Sequence, residues 1–341
     1  MPALGDIWFV LVGVLLLGYA LLDGFDLGAG ILHPFVARTD DERRAVMRSV
    51  GPVWDGNEVW LLTAGGALFA AFPIVYATVF SGFYLALILL LVALIFRAVA
   101  LEFRDQVATP GWRRAWDVAF FLGSLLPALL LGVAVGNVIR GLPIEADGAY
   151  HGGLLGLLTP LPLLVGLLVV AFAVTHGAAW LLLKTEGAVA ARARLATLGG
   201  WAALAVLWVA ATIAAWALAP DRWDAFGNPF AWLAPGAAVL AILVFPLLVR
   251  AGRKVLAFAA TGLAMAGMIA TLGIGLYPNL VPALDAPERS LTVANSASSD
   301  LTLSVMLGIA LVGMPIVIAY TAFIYWRFRG VVRLDDEGYG H

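Results

Sequence analysis

The 341 residues include no cysteine, which excludes disulfides, thiolate metal sites and cysteine nucleophiles. Charge is also scarce. Only 12% of residues are Asp, Glu, Lys or Arg, 62% are hydrophobic, and the mean hydropathy is +0.97. A soluble domain carries about 25% charged and about 45–50% apolar residues, so this chain cannot cover a globular surface. A net charge of −2 gives no electrostatic basis for binding nucleic acid. The period-2 alternation of a membrane β-barrel is missing. So are the phosphate-binding loop, the zinc-protease helix and the nucleophile elbow. No Lys or Arg precedes the first apolar run, where Asp6 is the one charge. A signal peptide needs a basic start, so Met1 is expected to open the first spanning helix.

What is present is a succession of apolar runs, each long enough to cross about 30 Å of hydrocarbon as a helix. They predict an all-α polytopic membrane protein, one integral-membrane domain over 1–341, with nine spans. These lie near 6–35, 53–74, 78–101, 115–138, 152–182, 195–219, 229–250, 253–277 and 302–327. The fifth is longer than a crossing needs, and Pro160 and Pro162 point to a loop or a kinked start there. Alternate connections differ sharply in charge. Sixteen of the 20 Lys and Arg fall in 36–52, 102–114, 183–194, 250–254 and 327–341. The opposite set holds only Arg140, Arg222 and Arg289, and Arg97 lies within a span. The positive-inside rule places the C-terminus in the cytoplasm and the N-terminus outside. Trp8, Trp60, Trp112, Trp116, Trp201 and Trp326 fall near span ends, as an interfacial aromatic belt requires.

Ionisable side chains at membrane depth are costly and usually face a partner, a cavity or a proton path. Asp23 and Asp26 in the first span, and Asp55 and Glu58 at the start of the second, are each three residues apart and so share a helix face. Arg97 and Glu102 close the third span, and Asp117 opens the fourth. All sit toward the cytoplasmic side. Two uses fit them. One is a hydrated inlet in which carboxylates pass protons. The other is charge pairing, with Arg97 neutralising Asp23, Asp26 or Glu58 and tying three helices together. Asp117, near the interface, is expected to be a plain solvated residue. Glycines around Asp23 and Asp26 (Gly24, Gly28, Gly30), and Gly65-Gly66, suit close helix packing. His33 and His176 are in principle haem ligands, but a lone membrane histidine is more often hydrogen-bonded packing. His151 lies in an outer loop, and His341 is the last residue. A secondary transporter or channel would also keep carboxylates in the membrane. It predicts acids near the midplane and two repeated halves, and no repeat is visible.

Three stretches resemble a known family. They are Gly18-Tyr-Ala-Leu-Leu-Asp-Gly-Phe-Asp-Leu-Gly28, Trp54-Asp-Gly-Asn-Glu-Val-Trp60 with the eleven residues that follow, and Phe80-Ser-Gly-Phe-Tyr84 with Phe96-Arg97 downstream. Together they look like subunit II of the cytochrome bd family of quinol oxidases, including its cyanide-insensitive branch. Weaker likeness runs through Gly132–Gly141, Thr175-His-Gly-Ala and Leu301-Thr-Leu-Ser-Val-Met306. The resemblance implies two four-helix bundles plus one peripheral helix in the bacterial cytoplasmic membrane. It also implies an obligate partner, a haem-bearing subunit I that holds two haems b, one haem d and the quinol site. Oxygen is reduced to water with cytoplasmic protons, and a proton motive force builds without pumping. This chain would support subunit I and line part of the proton route. Position by position, Asp55 matches the acid of the inter-subunit proton channel, and Asp23 and Asp26 match the Asp-Gly-Phe-Asp pair. Glu58 joins them as a relay candidate, although some relatives have glutamine there. Arg97, Glu102 and Trp54 are carried over as charge-partner or structural residues. His33 and His176 are not haem ligands in the family. Small single-span accessory subunits, membrane lipid and a bound lipid or quinone are compatible with it.

Overall fold

A computed structural model describes residues 3–146, 148, 150 and 152–332. His151 and His341 lie outside the described residues. The elements in order are α1 (Leu4–Val36), α2 (Asp40–Val50), α3 (Trp54–Ala71), α4 (Pro73–Gly82), α5 (Tyr84–Phe103), α6 (Pro110–Arg140), α7 (Gly153–Leu157), α8 (Pro160–Lys184), α9 (Gly187–Leu218), α10 (Leu233–Arg250), α11 (Lys254–Leu276), α12 (Val293–Ser296) and α13 (Asp300–Arg327). One antiparallel pair, β1 (Asn279–Val281) and β2 (Leu291–Thr292), lies between α11 and α12.

Among the described residues, eight helices are long and apolar enough to cross a membrane: α1, α5, α6, α8, α9, α13, α11 and α10 with its preceding turn. The expected second span, α3, has 18 residues. It is left out because its first turns, Trp-Asp-Gly-Asn-Glu, are polar. Proline explains most boundaries that differ from expectation. It removes a backbone donor and suits the first turn of a helix. Pro73 starts α4, so the third span begins at Tyr84 rather than near 78. Pro160 starts α8, and the long fifth run divides into α7 and α8 at Leu158-Thr159. The basic segment 36–52, expected as a loop, contains α2. Thr39 and Glu42 form its capping box, a reciprocal cap that starts a helix. Its Val46, Met47 and Val50 are buried.

α1 lies at the centre. It packs on α3 and α6 and on α8 and α11, while α5 packs on α6, α8 on α9 and α10 on α11. Gly28 and Gly177 let α1 and α8 cross backbone to backbone. A Cβ on Gly28 would sit 1.8 Å from Ala173 O, so only glycine permits the approach. α13 lies outermost against α1 and α3. One core cluster occupies the end of the bundle near α2, around Phe25, Val36, Val46 and Trp180. A second occupies the opposite end, around Trp8, Phe72, Leu142 and Val293. Trp8 is not an interfacial anchor. It is buried and donates to Leu303 O at 3.0 Å.

The basic connections gather at one end. Arg104 reaches Asp40 at 2.8 Å, Arg192 reaches Glu42 at 2.6 Å, and Arg194 donates to Val249 O at 3.3 Å. We call this the basic end. At the opposite end Tyr277 donates to Asp6 at 3.0 Å, and Leu142 bridges to Ala283.

Candidate functional site

Arg97 of α5 is completely buried. Its two Nη atoms clasp the Asp23 carboxylate of α1, one of them at 2.9 Å. Glu58 of α3 lies 3.6 Å from Arg97 and Asp26 of α1 lies 4.0 Å away. Helical spacing brings Asp23 and Asp26 to one cation, as the sequence predicts. The same residue ties α1, α3 and α5. Gly123 explains how α6 closes over it. A Cβ there would lie 2.7 Å from Arg97 N and 2.6 Å from Ala93 O.

Two residues not singled out from sequence extend this cluster. Asn57 Nδ2 donates to Asp26 at 2.7 Å and to Leu22 O at 3.0 Å. Tyr325 of α13 donates to Asn57 Oδ1 at 2.9 Å. Tyr19 is buried one turn before Asp23. Asn57 sits inside the Trp54–Trp60 motif, so its position was visible. Tyr325 arrives from 268 residues away along the chain and carries no local signal. Four buried atoms of this cluster, Tyr19 Oη, Asp26 Oδ1, Glu58 Oε1 and Arg97 Nε, have no hydrogen-bond partner among the described residues. Buried polar groups are nearly always bonded, so such exceptions mark water sites or functional sites.

Asp55 stands apart. It is exposed on α3, as are Gly56, Val59, Leu62, Thr63, Gly66 and Phe69, which fall along one helix stripe. Its helix neighbour Glu58 turns inward instead. Trp54 is partly buried beside them, and Glu102 is exposed at the end of α5. The structure does not bring Glu102 to Arg97.

A second ionic network lies nearer the surface of the basic end. Asp117, expected as a plain solvated residue, is only 7% exposed. It accepts from Arg43 and Arg104 at 2.6 Å each and bonds His33 Nε2 at 2.8 Å. Its depth comes from α2, which folds over it, and a reading of 36–52 as a loop hides that cover. Asp40 gathers Arg104, Arg113 at 3.0 Å and Arg44 at 2.9 Å. Burial alone would raise its carboxyl, but these guanidiniums, Arg104 first, hold it below its usual range. The hydrogen bond from Arg192, helped by the Arg38 and Thr39 amides, brings the Glu42 carboxyl down to about 2.

Both buried histidines are held by neighbouring groups, though His33 Nδ1 has no hydrogen-bond partner among the described residues. His176 engages Thr261 at 2.6 Å and Leu21 O at 3.0 Å through its two ring nitrogens. It is also stacked between Phe172 and Phe258. His33 commits Nε2 to Asp117, and its ring packs edge-on against Phe120. No cluster of three or more potential metal ligands occurs among the described residues.

This is therefore a polytopic helical membrane protein with a buried arginine–carboxylate cluster set toward its basic end. The model of the family described as cytochrome bd terminal oxidase subunit II matches residues 4–328, and the chain belongs to that family. It is 40% identical to cytochrome bd-I ubiquinol oxidase subunit 2 of Escherichia coli K12, over 97% of this chain and 95% of that one. It is 37% identical to cytochrome bd ubiquinol oxidase subunit 2 of Bacillus subtilis 168, over 96% and 97%. The fold matches a chain of the bd oxidase structure from Geobacillus thermodenitrificans with a TM-score of 0.76 and 20% identity, covering 95% and 98% of the two chains. Family membership sets the transporter alternative aside.

Proposed function

We propose that this chain is the non-haem-ligating subunit of a quinol:oxygen oxidoreductase in the bacterial cytoplasmic membrane. It supports a haem-bearing subunit I and supplies part of the proton route from the cytoplasm. The observation that carries this is the pairing of a buried Arg97 cluster with an exposed stripe of α3 that sets Asp55 beside Val59, Leu62 and Phe69. A lipid-facing helix has no use for Asp55, and small residues such as Gly56 and Gly66 allow close approach of another helix. The stripe suits the partner subunit, and Asp55 would then lie in the seam between the two chains.

Nine spans follow if α3 crosses beside that partner, its polar first turns shielded by protein rather than lipid. α1, α3, α5 and α6 then form one four-helix bundle, α8 to α11 form the second, and α13 is peripheral. The basic end faces the cytoplasm and the N-terminus faces outward. The two haems b, the haem d and the quinol site belong to subunit I, where the haems supply the electron transfer and oxygen chemistry. In this chain Asp55 receives protons at the seam. Glu58, Asp26 and Asp23 form the inner carboxylates, with one guanidinium among three acids. Asn57 and Tyr325 orient Asp26. Accessory single-span subunits and a bound lipid or quinone are compatible with this assembly.

The test is to purify the chain with whatever accompanies it, record a reduced-minus-oxidised spectrum, and assay quinol-driven oxygen uptake. Haem bands that track a second polypeptide, with oxygen uptake, support the proposal. A colourless chain that purifies alone and inactive contradicts it.

A further inference from the structure

At the basic end a recess of about 210 Å³ opens between α8, α9 and the turn joining α10 to α11. Its walls are apolar, with Leu182, Ala190, Ala191 and Val249, while Arg194 and Lys254 stand in its lining. Small residues make the space. Two alanines leave α9 narrow, and Gly252, at φ +70°, lets the chain turn from α10 into α11 within three residues. No acidic side chain lines it.

The cations here are free to take a ligand. Arg194 Nη2 donates to Val249 O and Arg250 O, at 3.3 and 3.4 Å, which holds the guanidinium over the carbonyl end of α10. Its other nitrogens have no hydrogen bond within the described residues. Lys254 is exposed and likewise has no carboxylate partner there. The contrast with α2 and α6 is instructive. There Arg43, Arg44, Arg104 and Arg113 all meet Asp40 or Asp117. The next residues along the chain, Leu195 and Val255, are 72% and 69% exposed. This is the exposure expected of side chains facing acyl chains.

We infer that this recess is a binding site for an anionic phospholipid of the cytoplasmic leaflet. The phosphate would lie between Arg194 and Lys254, with the first methylenes against Leu182 and the alanines. Basic pockets between spanning helices on this side of a membrane select anionic headgroups. The apolar walls favour a lipid over free phosphate, which would leave that surface wet. The inference rests on the basic end facing the cytoplasm.

The absence of cysteine allows a direct probe. Leu195→Cys, beside the recess and outside its lining, in the complete oxidase complex with any cysteine of the partner chains removed, is labelled with a small fluorophore. Quenching by brominated phosphatidylglycerol is then compared with quenching by brominated phosphatidylcholine in nanodiscs. Native mass spectrometry of the unlabelled complex counts retained lipid. The expected result is preferential quenching by the phosphatidylglycerol and one retained anionic lipid. In Arg194→Gln/Lys254→Gln that retention should fall by about tenfold to thirtyfold, the loss of two surface cations near a lipid phosphate. Should the double variant fail to assemble, Lys254→Gln alone should lose about fivefold. Equal quenching by the two lipids, unchanged retention in the variant, or displacement by inorganic phosphate alone would overturn the site. Reaction of an Ala188→Cys thiol, exposed at the start of α9 and outside the recess, with an impermeant reagent in inverted vesicles, but not in right-side-out ones, separately checks the sidedness.

Discussion

Replacing Arg97 with Gln removes the one cation that, among the described residues, reaches Asp23, Asp26 and Glu58 together. Arg97 and Asp23 are both fully buried, so neither can recover its lost interaction from solvent. Breaking a buried pair by removing one partner costs about 3–5 kcal/mol, because the other charge is left uncompensated. Replacing both partners costs much less. Asp23→Asn in the Arg97→Gln background should therefore recover at least about 1.5 kcal/mol, a positive coupling of the size seen for contacting groups. The assay is a double-mutant cycle on the purified complex, read as the denaturant dependence of the native near-ultraviolet signal with the basic-end lipids held constant. Gln at 97 keeps most of the side-chain volume, so a cavity does not explain the loss. If Arg97→Gln is as stable as the parent, or if the two substitutions are additive, the electrostatic account of the cluster is wrong.

Asp117→Ala should cost about 1.5–3 kcal/mol, the loss of charged hydrogen bonds from Arg43, Arg104 and His33, with Arg104 still held by Asp40, while exposed Glu102→Ala should stay within about 0.5 kcal/mol; both are read by the same denaturation. Gly28→Ala should cost about 1–3 kcal/mol or block assembly, because the new methyl meets Ala173 O. Gly65→Ala, with nothing within 4 Å of its added carbon, should be tolerated, as judged by the yield of intact complex. Glu42 titrates lower in the folded chain than its usual 4.5. Its contribution to stability is therefore complete above that value and is lost as pH falls toward about 2. Glu42→Gln should flatten that part of a stability-against-pH curve, and an unchanged curve would remove Glu42 as its cause.

Much of the fold was visible because membrane physics leaves few options. Apolar length marked eight of the nine expected runs as helices long and apolar enough to cross a membrane, and charge asymmetry grouped the connections that the structure gathers at one end. Helical spacing alone put Asp23 and Asp26 on one face, where Arg97 meets them. What failed to show depended on tertiary burial. Asp117 looks like an interfacial acid until α2 covers it, and α2 itself was announced only by Thr39 and Glu42. Tyr325 reaches Asn57 from the far end of the chain, which no local pattern can signal. Asp55 and Glu58 have the three-residue spacing of a shared face, yet Asp55 turns outward and Glu58 toward Arg97. Spacing gives proximity along a helix, but the neighbours decide which way each side chain is used.

In the proposed role this chain carries protons for its oxidase through Asp55 and the carboxylates behind it. The most direct measurement compares the parent complex with Asp55→Asn in proteoliposomes, following quinol-driven oxygen uptake and the membrane potential together. Haem spectra and subunit stoichiometry serve as the check on assembly. The account predicts an intact complex whose turnover and potential both collapse. Unchanged turnover with an unchanged potential would contradict it.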